Sequence, residues 1–251
     1  MAVTLIETAI ALTLGHVLAD FTMQSDRMVQ NKRDPLVLLG HVAIVTAVSW
    51  AALGFAPRPA PILLIAVSHY AIDWIKLRRG GPGFAAFAAD QAAHLAMIAL
   101  AAMLAPDAWS AGLWGMAPPA AAAEWLARLP AAMTLVAGLV AAVWAGGYAV
   151  QALMHGLRHP LDPAEDQSLP RGGQLIGRLE RLMIFMLVLA GQAAAIGFLI
   201  AAKSVLRFNE LARDRDLRVG EYVIIGTLAS FAWGIGIAFA TAAVLARLAG
   251  T

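Results

Sequence analysis

Residues 68–94 read SHYAIDWIKLRRGGPGFAAFAADQAAH, two largely apolar segments joined by a basic, glycine-rich turn. The first segment carries His69 and Asp73, and the second carries Asp90 and His94. Residues four apart lie on one face of an α-helix, so each pair can direct an imidazole and a carboxylate to the same point. The stretch therefore predicts two apolar helices with ionisable groups on one face.

A third pair of the same kind, His16 and Asp20, lies in an earlier apolar segment, and His41 lies near the start of another. A charged side chain at the centre of a membrane-spanning helix costs roughly 2.5–3.5 kcal/mol on insertion scales, and such residues commonly serve a function. Three pairs of the same two residue types indicate one buried polar site.

The composition indicates a polytopic membrane protein. Of the 251 residues, 61% are hydrophobic and only 14% are charged, and the mean hydropathy is +0.73. Soluble domains are about half apolar and about a quarter charged. The chain has no cysteine, so disulfides and thiolate ligands are excluded, and His, Asp and Glu remain as metal ligands. The net charge of +2 indicates contact with lipid headgroups; the bilayer is the expected partner, and no nucleic acid is expected.

We expect an all-α, polytopic transmembrane helical bundle with about seven spans. The predicted spans are 3–21, 36–55, 62–77, 84–104, 131–153, 182–202 and 222–245. Three parts are predicted: a four-helix membrane module with the His/Asp site at 1–105, an interfacial connector at 106–130 that is rich in Ala, Pro and Trp, and a three-helix extension at 131–251. Tryptophan is typical of the headgroup level of a membrane.

The basic residues predict the orientation, because cytoplasmic loops carry more Lys and Arg. Three such residues lie at 24–35, three at 76–79, and three after the fifth span up to Arg178. This places the N-terminus, a retained first helix, outside a bacterial inner (plasma) membrane. The segment from Lys203 to Arg218 carries five basic residues, yet seven spans would place it outside. Either one predicted span is re-entrant, or the segment from Lys203 to Arg218 departs from the rule that basic residues are cytoplasmic.

The His/Asp pairs are candidate metal ligands, much as paired histidines hold zinc on a helix. The candidate ligands are His16, Asp20, His41, His69, Asp73, Asp90 and His94. Nitrogen and oxygen ligands without sulfur suit zinc, manganese or iron(II), and the set is large enough for one or two ions. Two other interpretations remain open. The pairs could be hydrogen bonds that fix helix packing, or they could form a proton relay.

Four residues are candidates for catalysis. A carboxylate that is not fully engaged with metal, Asp73 or Asp90, is a candidate general base. Lys76 and Gln24 could hold an anionic group, although Lys76 could instead place its ammonium at the membrane surface. Lys32 is interpreted first as a charge that sets topology. A polar set in the second half, which includes Glu180, Arg181 and Lys203, predicts interfacial ion pairs or a phosphate site.

Several motifs resemble those of a known family. They are GHVLADFTMQ (15–24), NK (31–32), GH (40–41), SHYAIDWIK (68–76) and DQAAH (90–94). The chain resembles a bacterial integral-membrane family known as domain of unknown function 3307. The motifs GGQLIGRLERLMIF, IGFLIAAKSVLRFNE and EYVIIGTLASF are similar to the extension of its longer members. The resemblance implies a multi-pass inner-membrane protein and no particular activity. A weaker likeness, in residue type only, is to membrane-bound metal-dependent hydrolases.

We therefore expect a membrane-embedded, metal-dependent hydrolase that acts on a lipid-linked or small amphiphilic, anionic substrate. The alternatives are a proton- or ion-coupled transporter that uses the same His/Asp cluster, and a non-catalytic membrane assembly factor. A polar path through the whole module would favour transport, whereas a site open on one side only would favour an enzyme.

Overall fold

The structure is a computed structural model that describes residues 2–116, 120–157, 171–211 and 217–250. Almost all of these residues are helical, and no strand occurs among them, so the all-α prediction is confirmed. Internal contacts divide the chain into two compact units, residues 1–140 with 244–251 and residues 141–243. The predicted domain limits at residues 105 and 130 stay a prediction.

The first unit is a bundle built around its first helix. Its helices are α1 (Ala2–Phe21), α2 (Asp26–Asn31), α3 (Pro35–Ala52), α4 (Pro59–Arg79), α5 (Phe84–Leu104), α6 (Ala108–Ala111), α7 (Ala120–Ala127) and α8 (Leu129–Val140). Helix α1 packs against α3, α5 and α8, and α4 packs against α3 and α5. Asp34 caps α3 by accepting a hydrogen bond from the amide of Leu36, and Pro35 occupies the first turn, where its missing N–H costs nothing.

The segment after α5 is tied back to α1. The Thr8 hydroxyl donates to the carbonyl of Pro106 at 3.2 Å and accepts from the amide of Trp109 at 3.1 Å. As a result, the Trp109 side chain is buried in the protein. The Thr8 contacts thus hold this part of the connector against the bundle, and the interfacial position of the connector stays a prediction.

The second unit begins with a π-helical turn at Ala141–Ala145. It continues with α9 (Gly146–Met154), a 3₁₀ turn (His155–Leu157), α10 (Gly172–Leu189), a second 3₁₀ turn (Ala193–Ala195), α11 (Ile196–Leu211) and most of α12 (Leu217–Ala249). Most of the polar loop between the fifth and sixth predicted spans, residues 158–170, lies outside the described residues.

The sixth predicted span, 182–202, is broken in its middle. Gly191 has φ +71°, and the amides of Gly191 and Gln192 donate to the carbonyls of Val188 and Leu187 at 3.0 and 2.8 Å. This double hydrogen bond around a left-handed glycine is the Schellman motif, which ends a helix. Helix α11 then runs back along α10, since the Lys203 ammonium contacts the Glu180 carboxylate at 2.8 Å.

Six helices among the described residues are long and apolar enough to cross a membrane: 4–21, 35–52, 59–79, 84–104, 122–157 and 220–249. The count is close to the predicted seven, and the difference lies at the broken segment. The predicted loop from Lys203 to Arg218 is largely helical, because α11 extends to Leu211 and α12 begins at Leu217. Residues 212–216 lie outside the described part of the chain.

Candidate functional site: a buried His/Asp cluster

The polar side chains of the first unit meet at one end of the bundle. This is the end where α1 and α4 finish and where α3 and α5 begin, next to the connections at residues 22–34 and 80–83. All seven predicted metal ligands contribute to this cluster, and six of them are buried: His16, His41, His69, Asp73, Asp90 and His94. Asp20, at 9% side-chain exposure, is only slightly more open.

Four of these residues form what we call the central donor set: Asp20, His41, His69 and Asp73. Nε2 of His41 lies 3.0 Å from Nε2 of His69 and 3.1 Å from Oδ1 of Asp20. The distance from His69 Nε2 to the same Asp20 oxygen is 3.3 Å. Oδ2 of Asp73 lies 3.7 and 3.6 Å from the two imidazole nitrogens. Three helices therefore direct four ligand-type atoms at one point.

Gln24 and Asp20 compete for one nitrogen of His41. The Lys32 ammonium donates to Gln24 Oε1 at 3.4 Å, which leaves the Gln24 NH₂ group to donate to His41 Nε2 at 3.1 Å. His41 Nε2 is then a lone pair that faces a carboxylate oxygen. Two acceptors at this distance repel each other unless a cation lies between them.

The spacing fits a metal ion. Ligand atoms about 2.0–2.2 Å from a tetrahedral zinc ion lie roughly 3.3–3.6 Å from one another. The five separations that involve an imidazole nitrogen, 3.0–3.7 Å, bracket that range. The nitrogen and oxygen donors of this set thus suit a divalent ion. Ligand atoms also lie within 4.8 Å of one another in two groups of three residues, which are His16/Asp20/His69 and His41/His69/Asp73.

A second group lies beside the central donor set: His16, Asp90, Gln91 and His94. The Gln91 amide links two of them, since its oxygen lies 3.2 Å from His16 Nε2 and its NH₂ donates to Asp90 Oδ2 at 2.9 Å. The rings of His16 and His94 stack with their centroids 4.9 Å apart. One oxygen of Asp90 and one nitrogen each of His16 and His94 are buried without a hydrogen-bond partner.

Two lysines carry the balancing charge. The Lys32 ammonium lies 2.6 Å from Asp73 Oδ2 and is 11% exposed. The Lys76 ammonium lies 2.7 Å from Asp90 Oδ2 and is 46% exposed, so it connects the cluster with the surroundings. Of the two interpretations of Lys76, contact with the site is therefore the one that the geometry favours. Lys32, interpreted from sequence as a topological charge, also contacts the site.

The cluster ends abruptly inside the bundle. One helical turn beyond His16, His41, His69 and His94, the inward-facing residues are Leu12, Val45, Ile65 and Ile98, and all four are buried. Three of these apolar residues line, together with His16, His69 and His94, a pocket whose volume of about 10 Å³ holds about one water molecule. The polar site is thus closed on its inner side by an apolar layer.

Residues 8–113 match the model of a family described as a protein of unknown function, DUF3307. The resemblance seen in the sequence motifs is confirmed over this segment. No curated protein and no solved structure matches the chain. The resemblance of the second half to a family extension lies beyond the matched residues and stays a prediction.

The whole cluster lies within the DUF3307 segment, as do the Lys32, Gln24 and Lys76 side chains that contact it. The site therefore lies within the residues that match the family model. The match itself brings no activity, and only the residues of the cluster indicate its chemistry.

The polar set of the second unit has a different character. Glu180 pairs with Lys203, while the Arg181 guanidinium is buried and donates to the Val143 carbonyl at 2.9 Å and to the Ser230 hydroxyl at 2.9 Å. The π-helical turn leaves the Val143 carbonyl free to accept this bond. The Arg181 contacts hold α10 to its neighbours. The contact between Glu180 and Lys203 is an ion pair of the kind that the sequence predicts.

Proposed function

We propose that the protein is a membrane-embedded, metal-dependent hydrolase that acts on a lipid-linked or small amphiphilic substrate with an anionic group. The observation that supports it most directly is the central donor set, in which two imidazole nitrogens lie 3.0 Å apart and 3.1–3.7 Å from carboxylate oxygens of Asp20 and Asp73. A divalent ion held there would activate water as a hydroxide nucleophile at neutral pH.

The charge of the cluster supports an anionic substrate. Its three carboxylates, Asp20, Asp73 and Asp90, are balanced by two ammonium groups, Lys32 and Lys76. With neutral histidines the sum is −1, and one divalent ion changes it to +1. A net positive site inside an apolar bundle attracts an anionic group and stabilises negative charge that develops on it.

The surroundings support an amphiphilic substrate. Near the polar end of the bundle, α3 exposes Leu36 and Leu39, and α4 exposes Trp74 and Ile75. An apolar tail could remain against these side chains, in the lipid, while the headgroup reaches the partly exposed Lys76. Because basic residues favour the cytoplasm, we place this end at the cytoplasmic face of a bacterial inner membrane.

Asp90 is the best candidate for the general base. It lies outside the central donor set, yet one of its oxygens is within 4.8 Å of an Asp73 oxygen. Lys76 and Gln91 both donate to Oδ2, which leaves Oδ1 without a hydrogen bond and able to accept a proton.

The one-sided closure of the cluster favours an enzyme over a transporter. A relay across the membrane needs polar groups or water along its whole length, whereas the layer of Leu12, Val45, Ile65 and Ile98 offers no polar side chain and borders room for only about one water molecule. A role in helix packing alone leaves the buried Oδ1 of Asp90, Nδ1 of His16 and Nε2 of His94 without a hydrogen-bond partner.

The test combines metal content with turnover. Protein purified in detergent and loaded with Zn²⁺ or Mn²⁺ is assayed against lipid esters and lipid phosphates in mixed micelles. We expect at least one metal equivalent per chain and metal-dependent hydrolysis. Asp73→Asn should lower turnover by more than about 100-fold, since even the partners of metal ligands contribute roughly 10–100-fold.

The matched control is Glu7→Gln, which changes a half-exposed carboxylate on α1 outside the cluster and should keep both metal and turnover. A folded wild-type protein that binds no divalent ion after loading would overturn the metal site. Bound metal without turnover of any substrate in the panel would overturn the hydrolase.

A further inference from the structure

Two buried histidine nitrogens outside the central donor set, Nδ1 of His16 and Nε2 of His94, have no hydrogen-bond partner. The Gln91 NH₂ donates to Asp90, so the Gln91 oxygen must accept from His16 Nε2, and this nitrogen carries the proton. Nδ1 of the neutral His16 ring is then a lone pair. It is buried, makes no hydrogen bond, and lies 3.7 Å from Oδ2 of Asp20.

His94 is fixed in the same way. Its Nδ1 lies 2.9 Å from the backbone carbonyl of Asp90, which can only accept, so Nδ1 carries the proton. Nε2 is left as a second lone pair, also buried and without a hydrogen bond. The side chains of His16 and His94 are about 3% exposed, and both line the same small pocket.

Asp20 connects this pocket with the central donor set. Its Oδ1 faces His41 and His69, whereas its Oδ2 faces His16. A carboxylate whose two oxygens face nitrogen atoms of two separate groups of histidines has the arrangement of a bridging ligand between two cations.

We propose that the cluster holds two divalent ions, bridged by Asp20. The first lies in the central donor set and the second between His16 Nδ1, Asp20 Oδ2 and His94 Nε2. The inference rests on the proposed metal site and extends it. A second ion satisfies buried lone pairs that nothing else in the described residues satisfies, and leaving such groups unpaired costs about 1–3 kcal/mol each.

Two ions also define the substrate class. They change the charge of the cluster from −1 to +3, which suits a phosphoester better than a neutral carboxylic ester. Pairs of ions stabilise both the attacking and the leaving oxygen in phosphoester hydrolysis. Water adds to phosphorus, the bond from phosphorus to the lipid oxygen breaks, and that oxygen takes the proton as the alcohol leaves.

The experiment is a titration of the metal-free, full-length protein with Mn²⁺, followed by elemental analysis and electron paramagnetic resonance. We expect two equivalents per chain and the spectrum of a spin-coupled pair. His16→Gln and His94→Gln should each bind one equivalent and give the six-line spectrum of an isolated ion. Ser68→Ala, which changes another residue of the same pocket, should keep two coupled ions.

The outcomes separate the two proposals. One equivalent with an isolated spectrum in the wild type overturns the second ion and leaves the metal-dependent hydrolase intact. No bound ion overturns both. The wild-type spectrum decides the question even where a variant does not fold. Inorganic phosphate should perturb the coupled spectrum, and an equal effect of acetate would contradict the preference for phosphoesters.

Discussion

At the scale of single residues, Lys32 is the cation on which the metal-free cluster depends. Its ammonium lies 2.6 Å from the buried Asp73 carboxylate. Removing one partner of a buried pair costs about 3–5 kcal/mol, because the other charge is left uncompensated. We expect Lys32→Met to lower the stability of the metal-free protein by about this amount. A divalent ion should restore most of the loss, since it compensates Asp73 directly.

Thermal unfolding in detergent, with chelator and with Zn²⁺, measures both effects. Arg27→Met is the matched control, since Arg27 is an exposed basic residue of the same connection, and it should change neither transition. Equal loss of stability with and without metal would mean that the ion and the Lys32 ammonium do not share Asp73.

The sequence reveals the His/Asp pairs of the site but not Lys32. Spacing of four identified the three His/Asp pairs, because that pattern is local to each helix. It could not identify Lys32, whose position depends on the fold of a polar connection. Ser25 caps α2 by accepting from the Met28 amide, and this short helix precedes the turn that carries Lys32 back over the bundle.

At the scale of elements, α10 and α11 form a hairpin with its tip at residues 190–195. Glu180 and Lys203 are 23 residues apart and would be separated by about 35 Å in one straight helix, yet their charged groups are in contact. We expect both arms to begin and end on the same side of the membrane. The basic residues before α10 and after α11 would then share the cytoplasmic side, which resolves the conflict in orientation.

Cysteine labelling tests the hairpin cleanly, because the chain has no cysteine of its own. Arg178→Cys and Ser204→Cys, both at exposed positions, should react with an impermeant maleimide from the same side of the membrane. Arg33→Cys and Arg58→Cys flank the unbroken helix α3 and should react from opposite sides. Labelling of residues 178 and 204 from opposite sides would restore a seventh span.

The break at Gly191 is a feature that hydropathy alone does not predict. Residues 182–202 are apolar enough to be taken for one span, and no proline interrupts them. The signal is the pair Gly191–Gln192, a glycine followed by a polar residue, which supplies the left-handed position and the second amide of the Schellman motif. A glycine inside an apolar helix is common in membranes, so composition alone does not distinguish the two cases.

At the scale of the whole molecule, the polar cluster and six of the basic residues lie at the same end of the first unit. Arg27, Lys32 and Arg33 lie in or next to the connection at 22–34, and Lys76, Arg78 and Arg79 lie in the last turn of α4. The charges that set the orientation are thus those nearest the site. An enzyme at the cytoplasmic face needs access to the cluster from one side only. A relay across the membrane needs access from both sides.

A membrane-impermeant chelator distinguishes them. In sealed vesicles that contain the metal-loaded protein, EDTA should remove the metal when it is added on the side of residues 22–34, and not when it is added on the other side. The physical reason is the buried apolar layer of Leu12, Val45, Ile65 and Ile98 behind the histidines. Right-side-out and inside-out vesicles provide the two arms, and elemental analysis of the recovered protein is the measurement. Labelling of Arg33→Cys identifies the side. Equal removal from both sides would show that the cluster opens through the bundle, which is the access that a transporter requires.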